Sequence, residues 1–182
     1  MAAMLMGAWS LQSCDNEPTK EVWLDEFGQD SCYVQDWGML EVNRSVVHTP
    51  LTVNGVVYER GLGAHSISRL LYDLDGKAVS ISGLAGADDK NLFAGKLQFK
   101  ILGDKKELWK SGVMQKGDPV KEFNVNLKGV DKVLLLVEEC GDGIMYDHAD
   151  WLNVKITTRG DVKPVPAWAK PVAKEKYILT PP

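Results

Sequence analysis

The chain has 182 residues, 45% of them hydrophobic, and a formal charge of −4. That length fits one domain of about 100–200 residues plus tails, and the weak acidity excludes a partner held by a basic face, so nucleic acid is not expected. No stretch of about 18 consecutive apolar residues occurs, which leaves no candidate membrane-spanning helix.

The first segment, residues 1–14, is short and apolar as far as Trp9, with no Lys or Arg ahead of it. Leu11-Gln12-Ser13-Cys14 resembles a bacterial lipoprotein cleavage site, in which Cys14 becomes the lipidated first residue. The segment is read as a lipoprotein-type signal whose missing basic residues place the true start upstream. The expectation is an exported protein, periplasmic or on the outer membrane or cell surface, touching the membrane only through that lipid. Two further cysteines, Cys32 and Cys140, fall in loop regions. An oxidising compartment permits a disulfide between them, and two unpaired thiols is the equal alternative. No C-x-x-C spacing suggests zinc.

Residues 15–21 are polar and read as a tether. The folded part is expected over 22–158. Within it the apolar period is two: Leu97, Phe99 and Ile101 alternate with polar residues, as do Phe123, Val125 and Leu127. Such alternation marks strands with one face on a core and one in water. Val133-Leu134-Leu135-Leu136-Val137 is apolar on both faces and reads as a central buried strand. Turn signals separate the runs: Asn54-Gly55, Asp75-Gly76, Gly103-Asp104 and Lys128-Gly129. Any helix is a single short turn. The fold class is all-β, an antiparallel β-sandwich. Residues 159–182 carry five of the eight prolines. They read as an extended linker toward a catalytic domain that lies outside this chain.

Several motifs occur in a telling order: Trp37-Gly38, Leu51-Thr52-Val53-Asn54-Gly55, Tyr58, Gly61-Leu62-Gly63-Ala64-His65-Ser66, Tyr72-Asp73-Leu74, Gly86-Ala87-Asp88, Gly95 with the 97–101 strand, and Asp147-His148-Ala149-Asp150-Trp151. This set resembles the NPCBM family of carbohydrate-binding modules over residues 22–158. The resemblance implies a galactose-binding-like jelly roll beside the catalytic domain of a glycoside hydrolase, here of the α-galactosidase type. A TIM barrel needs about 250 residues, so such activity would belong to other sequence.

A sugar site needs an aromatic plate and a few polar anchors. Trp37 and Tyr33 in the first long loop and Tyr146 in the Gly141–Gly143 loop are the candidate plates. His65 can donate to a sugar hydroxyl from either ring nitrogen, and His148 is a weaker version of it. Glu59 and Arg60 either clamp hydroxyls or pair with each other on the surface. Trp151, Trp23 and Trp109 read as core or hairpin residues.

Asp88, Asp89, Asp142, Asp147 and Asp150 form a carboxylate-rich set. Sandwich modules of the resembling shape often carry one structural calcium, which assigns Asp88 and Asp150 to it; calcium needs six to eight oxygens. Turn capping and backbone bonding is the competing role, and a glycosidase carboxylate pair is the least supported. The functional expectation is a non-catalytic module that binds galactose-containing glycans. Its rivals are a structural module that packs on the catalytic domain without sugar, and a stand-alone enzyme, for which no motif speaks.

Overall fold

A computed structural model of the chain describes residues 17–92 and 95–166. In chain order the strands are β1 Lys20–Trp23, β2 Cys32–Gln35, β3 Glu41–Val42, β4 Leu51–Val53, β5 Val56–Tyr58, β6 Gly61–His65 and β7 Ser68–Asp73. Then follow β8 Ala78–Ala87, β9 Leu97–Gly103, β10 Lys106–Met114, β11 Lys121–Asn126, β12 Lys132–Glu139, β13 His148–Thr158 and β14 Lys163–Pro164. Between β1 and β2 runs a 3-10 segment, Leu24–Ser31, broken at Gly28.

The strands form two facing antiparallel sheets, ordered β11-β8-β13-β6-β3 with β1 on β13, and β10-β9-β12-β7-β14 with β2 on β7. The pair β4-β5 stands apart as a hairpin. The all-β sandwich is therefore the fold, and its period-two pattern explains it. Leu97, Phe99 and Ile101 of β9, Phe123 and Val125 of β11, and Val133, Leu135 and Val137 of β12 all point into one core. Leu134 and Leu136 point the other way, into a second cluster with Tyr33, Leu71 and Leu102. That is why the β12 sequence is apolar on both faces.

Trp151 sits at the centre, fully buried. Its ring meets Phe99 at 4.9 Å and Phe123 at 5.7 Å, both edge-on at 83°. Such edge contacts add about 0.5–1.5 kcal/mol each beyond the area they bury. The Asn54-Gly55 turn is as expected, with both φ angles positive at 49° and 76°. The turn after β9 falls one residue later than the sequence suggested, on Asp104-Lys105, with φ 45° and 76°.

Three expectations change. The ladder starts at Lys20, inside the expected tether, because Lys20–Trp23 pair with β13. The expected linker begins later than residue 159: Val162 is in the main core, β14 pairs with β7, and Val165 packs on the outer cluster. Cys32 and Cys140 are free thiols. Cys32 is aligned with Leu70, and Leu70 with Leu135. Cys140 lies five positions past Leu135, so the cysteines stand about 10 Å apart across the strands and about 16 Å along them. A disulfide requires Cα atoms within about 7 Å. The signal segment, Cys14 and the linker from residue 167 lie outside the described residues.

Candidate functional site

One rung of the ladder builds the floor. Antiparallel pairing of β6 and β13 sets His65 opposite His148, so the two imidazoles share a face with ring centroids 5.5 Å apart. Trp37 closes over them. Its ring is 4.9 Å from that of His65, and it stacks parallel to His148 at 5.9 Å and 8°. Half of Trp37 remains exposed, at 49%, whereas His65 and His148 are buried. Val47, Lys90, Leu92, Ile144, Met145 and Tyr146 complete an open cavity of about 480 Å³.

Local bonds hold this arrangement. The Gln35 amide donates to the Trp37 carbonyl at 3.0 Å and accepts from the His65 N–H at 3.4 Å, which ties the plate to the floor. Gly38 adopts φ 67°, and a β-carbon there would lie 2.9 Å from Val46. Only glycine lets the Trp37 loop settle so closely on the 45–49 turn. On the other wall, Ser66 donates its hydroxyl to Asp147 at 2.5 Å, and its N–H donates to the Asp147 carbonyl at 3.1 Å. Fully buried Asn91 makes two bonds to the backbone of His148: Oδ1 accepts its N–H at 3.0 Å, and Nδ2 donates to its carbonyl at 3.2 Å. The Asp88 N–H just after β8 donates to the same carbonyl at 3.0 Å, so the amide supplies the acceptor for the His148 N–H that the backbone no longer offers.

Burial sets the electrostatics. It pushes both histidines below the ordinary imidazole value; for His148 the charge of His65 adds to the effect. Both rings are therefore neutral at pH 7. Burial also pushes Asp147 up to about 6, with the Ser66 hydroxyl partly opposing it. The His65 Nδ1 lies 2.6 Å from the Ser66 carbonyl oxygen. The His148 Nδ1 is buried without a partner.

The structure thus brings together four of the seven residues named from sequence for sugar contact: Trp37, His65, Tyr146 and His148. Tyr33 is elsewhere, 1% exposed in the outer cluster. Glu59 and Arg60 precede β6, whereas His65 ends it, about 16 Å away along an extended strand. Arg60 binds Asp25 at 2.9 Å and Glu26 at 3.2 Å and lies 4.4 Å from the centre of the Trp23 ring. It serves the base of the sandwich. Lys90, Leu92, Met145 and Asn91 were not singled out from sequence. The one available signal was position: Lys90–Leu92 follow directly on Asp88-Asp89.

Those carboxylates organise the hairpin and the loop. Asp88 accepts from the N–H of Lys90 at 2.6 Å and of Thr52 at 3.3 Å, and Asp89 accepts from Asn54 and Gly55. Asp150 is fully buried, and neither of its oxygens receives an N–H or hydroxyl donor; its carboxyl sits against that of Asp88, within reach of a shared proton. Burial, then the neighbouring Asp88 charge, raises its pKa well above the carboxylate range. Among the described residues no three His, Cys, Asp or Glu side chains converge as metal ligands.

A two-sheet antiparallel sandwich with an aromatic pocket at one rim has the architecture of galactose-binding-like carbohydrate-binding modules. The chain belongs to the NPCBM/NEW2 domain family, which matches residues 20–157. A structure of CBM51 from the Clostridium perfringens GH95 enzyme in complex with methyl-galactose superposes with a TM-score of 0.67 and 25% identity, covering 75% of this chain and 99% of that one. The M60 catalytic domain with two CBM51 domains from Clostridium perfringens ZmpB aligns at TM-score 0.69 and 28% identity, over 78% of this chain and 15% of that one. The alpha-1,3-galactosidase B of Akkermansia muciniphila is 29% identical over 130 residues, which are 69% of this chain and 16% of that protein. A putative endo-alpha-N-acetylgalactosaminidase of Renibacterium salmoninarum is 29% identical over 154 residues, 81% of this chain and 10% of that protein. The chain therefore spans only a small part of the length of these last two proteins.

Proposed function

We propose that this chain is a non-catalytic module whose cavity binds a terminal galactose-type sugar and holds an exported glycoside hydrolase, of α-galactosidase type, on galactose-bearing glycans. The observation that carries it is the half-exposed Trp37 plate over two neutral imidazoles. An apolar plate meets the C–H face of a sugar, and the imidazole nitrogens meet its hydroxyls. The methyl-galactose complex of a 25% identical relative supports the sugar class. Modest affinity suffices, because tethering raises the effective concentration of an attached enzyme. Titration calorimetry of the full chain with methyl galactoside tests this. Saturable heat whose affinity Trp37→Ala lowers about tenfold supports it, and no heat with any neutral hexose or N-acetylhexosamine refutes it. The rival reading, a module that only packs on its catalytic domain, predicts no saturable heat with any sugar.

Two further parts belong to the proposal. Membrane attachment through lipid on Cys14 is checked by the mass of the mature protein. A structural calcium at Asp150 and Asp88 rests on the two Asp150 oxygens that receive no N–H or hydroxyl donor and on the facing Asp88 carboxyl. Asp88 already holds two backbone N–H groups, so backbone carbonyls would have to supply most of the six to eight oxygens. A Tm that rises with calcium and falls with EDTA supports the ion; an unchanged Tm rejects it in favour of a protonated Asp150.

A further inference from the structure

We infer that His65 meets the ligand as a fixed hydrogen-bond acceptor, so that the site demands a free hydroxyl donating at one position of the sugar. This deepens the sugar-binding reading and rests on it. The Ser66 carbonyl oxygen can only accept, and it lies 2.6 Å from His65 Nδ1. The ring hydrogen therefore sits on Nδ1. A neutral imidazole carries a single N–H, so Nε2 holds a lone pair. No described group bonds Nε2, and it is not among the buried atoms sealed off without a partner, so it opens on the cavity that the ring lines.

The tautomer is locked, because the Ser66 carbonyl is itself immobile. Ser66 is clamped to Asp147 by its N–H and its hydroxyl, and the His65 N–H is held by Gln35. His148 differs: its Nδ1 is buried and unpartnered, so its hydrogen is free to sit on either nitrogen. The floor thus pairs one obligatory acceptor with one adaptable group. The expectation from sequence, that His65 donates from either nitrogen, is reversed for the neutral ring.

The consequence is chemical. A sugar hydroxyl satisfies Nε2 by donating to it. A fluorine, a methyl ether, a sulfate ester or a carboxylate at the same position has no hydrogen to give and leaves the lone pair facing another. The ligand class is a neutral hexopyranoside, unsubstituted at that hydroxyl. Lys90, whose ammonium has no partner among the described residues, lines the same cavity and offers donors to the other oxygens. The charged and titratable groups that face His65 are His148, Asp36, Lys90 and, through Ser66, Asp147.

The test uses the full chain and four monodeoxyfluoro methyl galactosides, substituted at positions 2, 3, 4 and 6. Fluorine accepts weakly and cannot donate. At pH 8 one analogue should bind about 10- to 100-fold more weakly than methyl galactoside, the scale of one orphaned polar contact. At a pH low enough to protonate His65, both ring nitrogens carry hydrogen. The same analogue should then lie within about threefold of the parent, as expected when the contact no longer needs a donor. Nitrogen-15 NMR of the unliganded chain should show a protonated Nδ1 and a bare Nε2 on His65. A flat analogue panel with the parent binding, or an Nε2–H tautomer, overturns the inference and leaves the sugar site standing. Failure of every sugar to bind overturns both.

Discussion

Asn91 is where the site and the fold depend on one side chain, so Asn91→Ala is a demanding perturbation. The amide is fully buried and satisfies both backbone groups of His148, at 3.0 and 3.2 Å. Alanine leaves that N–H without a partner in the interior, while the carbonyl keeps the Asp88 N–H at 3.0 Å. A buried polar group so orphaned costs about 1–3 kcal/mol. For a domain of this size 1 kcal/mol moves Tm by about 2–4 °C, so the middle of that range gives a fall of about 4–8 °C. The same loss frees His148 at the cavity floor, and affinity for methyl galactoside should drop by about tenfold, equivalent to about 1.4 kcal/mol. Differential scanning calorimetry reads the first quantity and titration calorimetry the second. A Tm within about 2 °C of the parent with unchanged affinity would show that the Asn91 amide does not hold His148, and the account of this wall would be wrong.

Three other outcomes are expected. Trp37→Ala should cost little stability, since the ring is 49% exposed; a sugar face covering about 60 Å² of it contributes about 1.5 kcal/mol, so affinity should fall roughly tenfold while Tm barely moves. Gly63→Ala should destabilise by about 1–3 kcal/mol, read by urea denaturation, because its β-carbon would run into the Arg44 carbonyl and sit 2.7 Å from Ser45 backbone atoms. Asp147→Asn should flatten the pH dependence of Tm: the folded pKa is raised to about 6 from 3.8, so its favourable contribution is complete below the unfolded value and disappears as pH rises through 6. The variant-minus-parent difference in Tm should grow between pH 4.5 and pH 7.5, and an equal difference at both ends would contradict the buried, proton-holding carboxyl.

The parts legible in the sequence were those governed by short-range pattern. Period-two alternation gave β9 and β11, a doubly apolar run gave β12, and Asn54-Gly55 gave the hairpin with both φ angles positive. Trp37, His65, Tyr146 and His148 stood out as aromatic or titratable residues in turns beside apolar strands, and the folded chain gathers them. Tyr33 shared that signature and is buried, because β2 joins the edge of β7 and turns it onto the outer cluster. Arg60 shared it too, yet strand β6 separates it from His65 along its full length. Proximity in sequence at a strand boundary does not say which end of the strand faces the ligand. Asn91 and Lys90 carried no signal beyond their place after Asp88-Asp89, since what sets that loop at the site is the Asn91 contact with His148 across 57 positions.

The site divides into a rigid part and a variable part, and the division follows from how each is held. His65 and His148 are the last rung of the ladder between two strands in the middle of a sheet, closed off by the Ser66–Asp147 bond just beyond it, so their separation is fixed by strand spacing. Trp37, Leu92 and Met145 come from three loops, and all three are substantially exposed, at 49%, 73% and 71%. Loops tolerate substitution and insertion far better than paired strands do. The ladder should therefore determine that a hydroxylated ring is recognised, and the loops which neighbouring group is tolerated beside it. Exchanging residues at 92 and 145 should change the ranking among substituted galactosides while leaving methyl galactoside bound, whereas a change at either histidine should remove binding of them all. Glycan profiling of Leu92→Ser and Met145→Ser beside His148→Ala separates the two roles, and a profile that shifts equally in all three would show that the rim and the floor act as one.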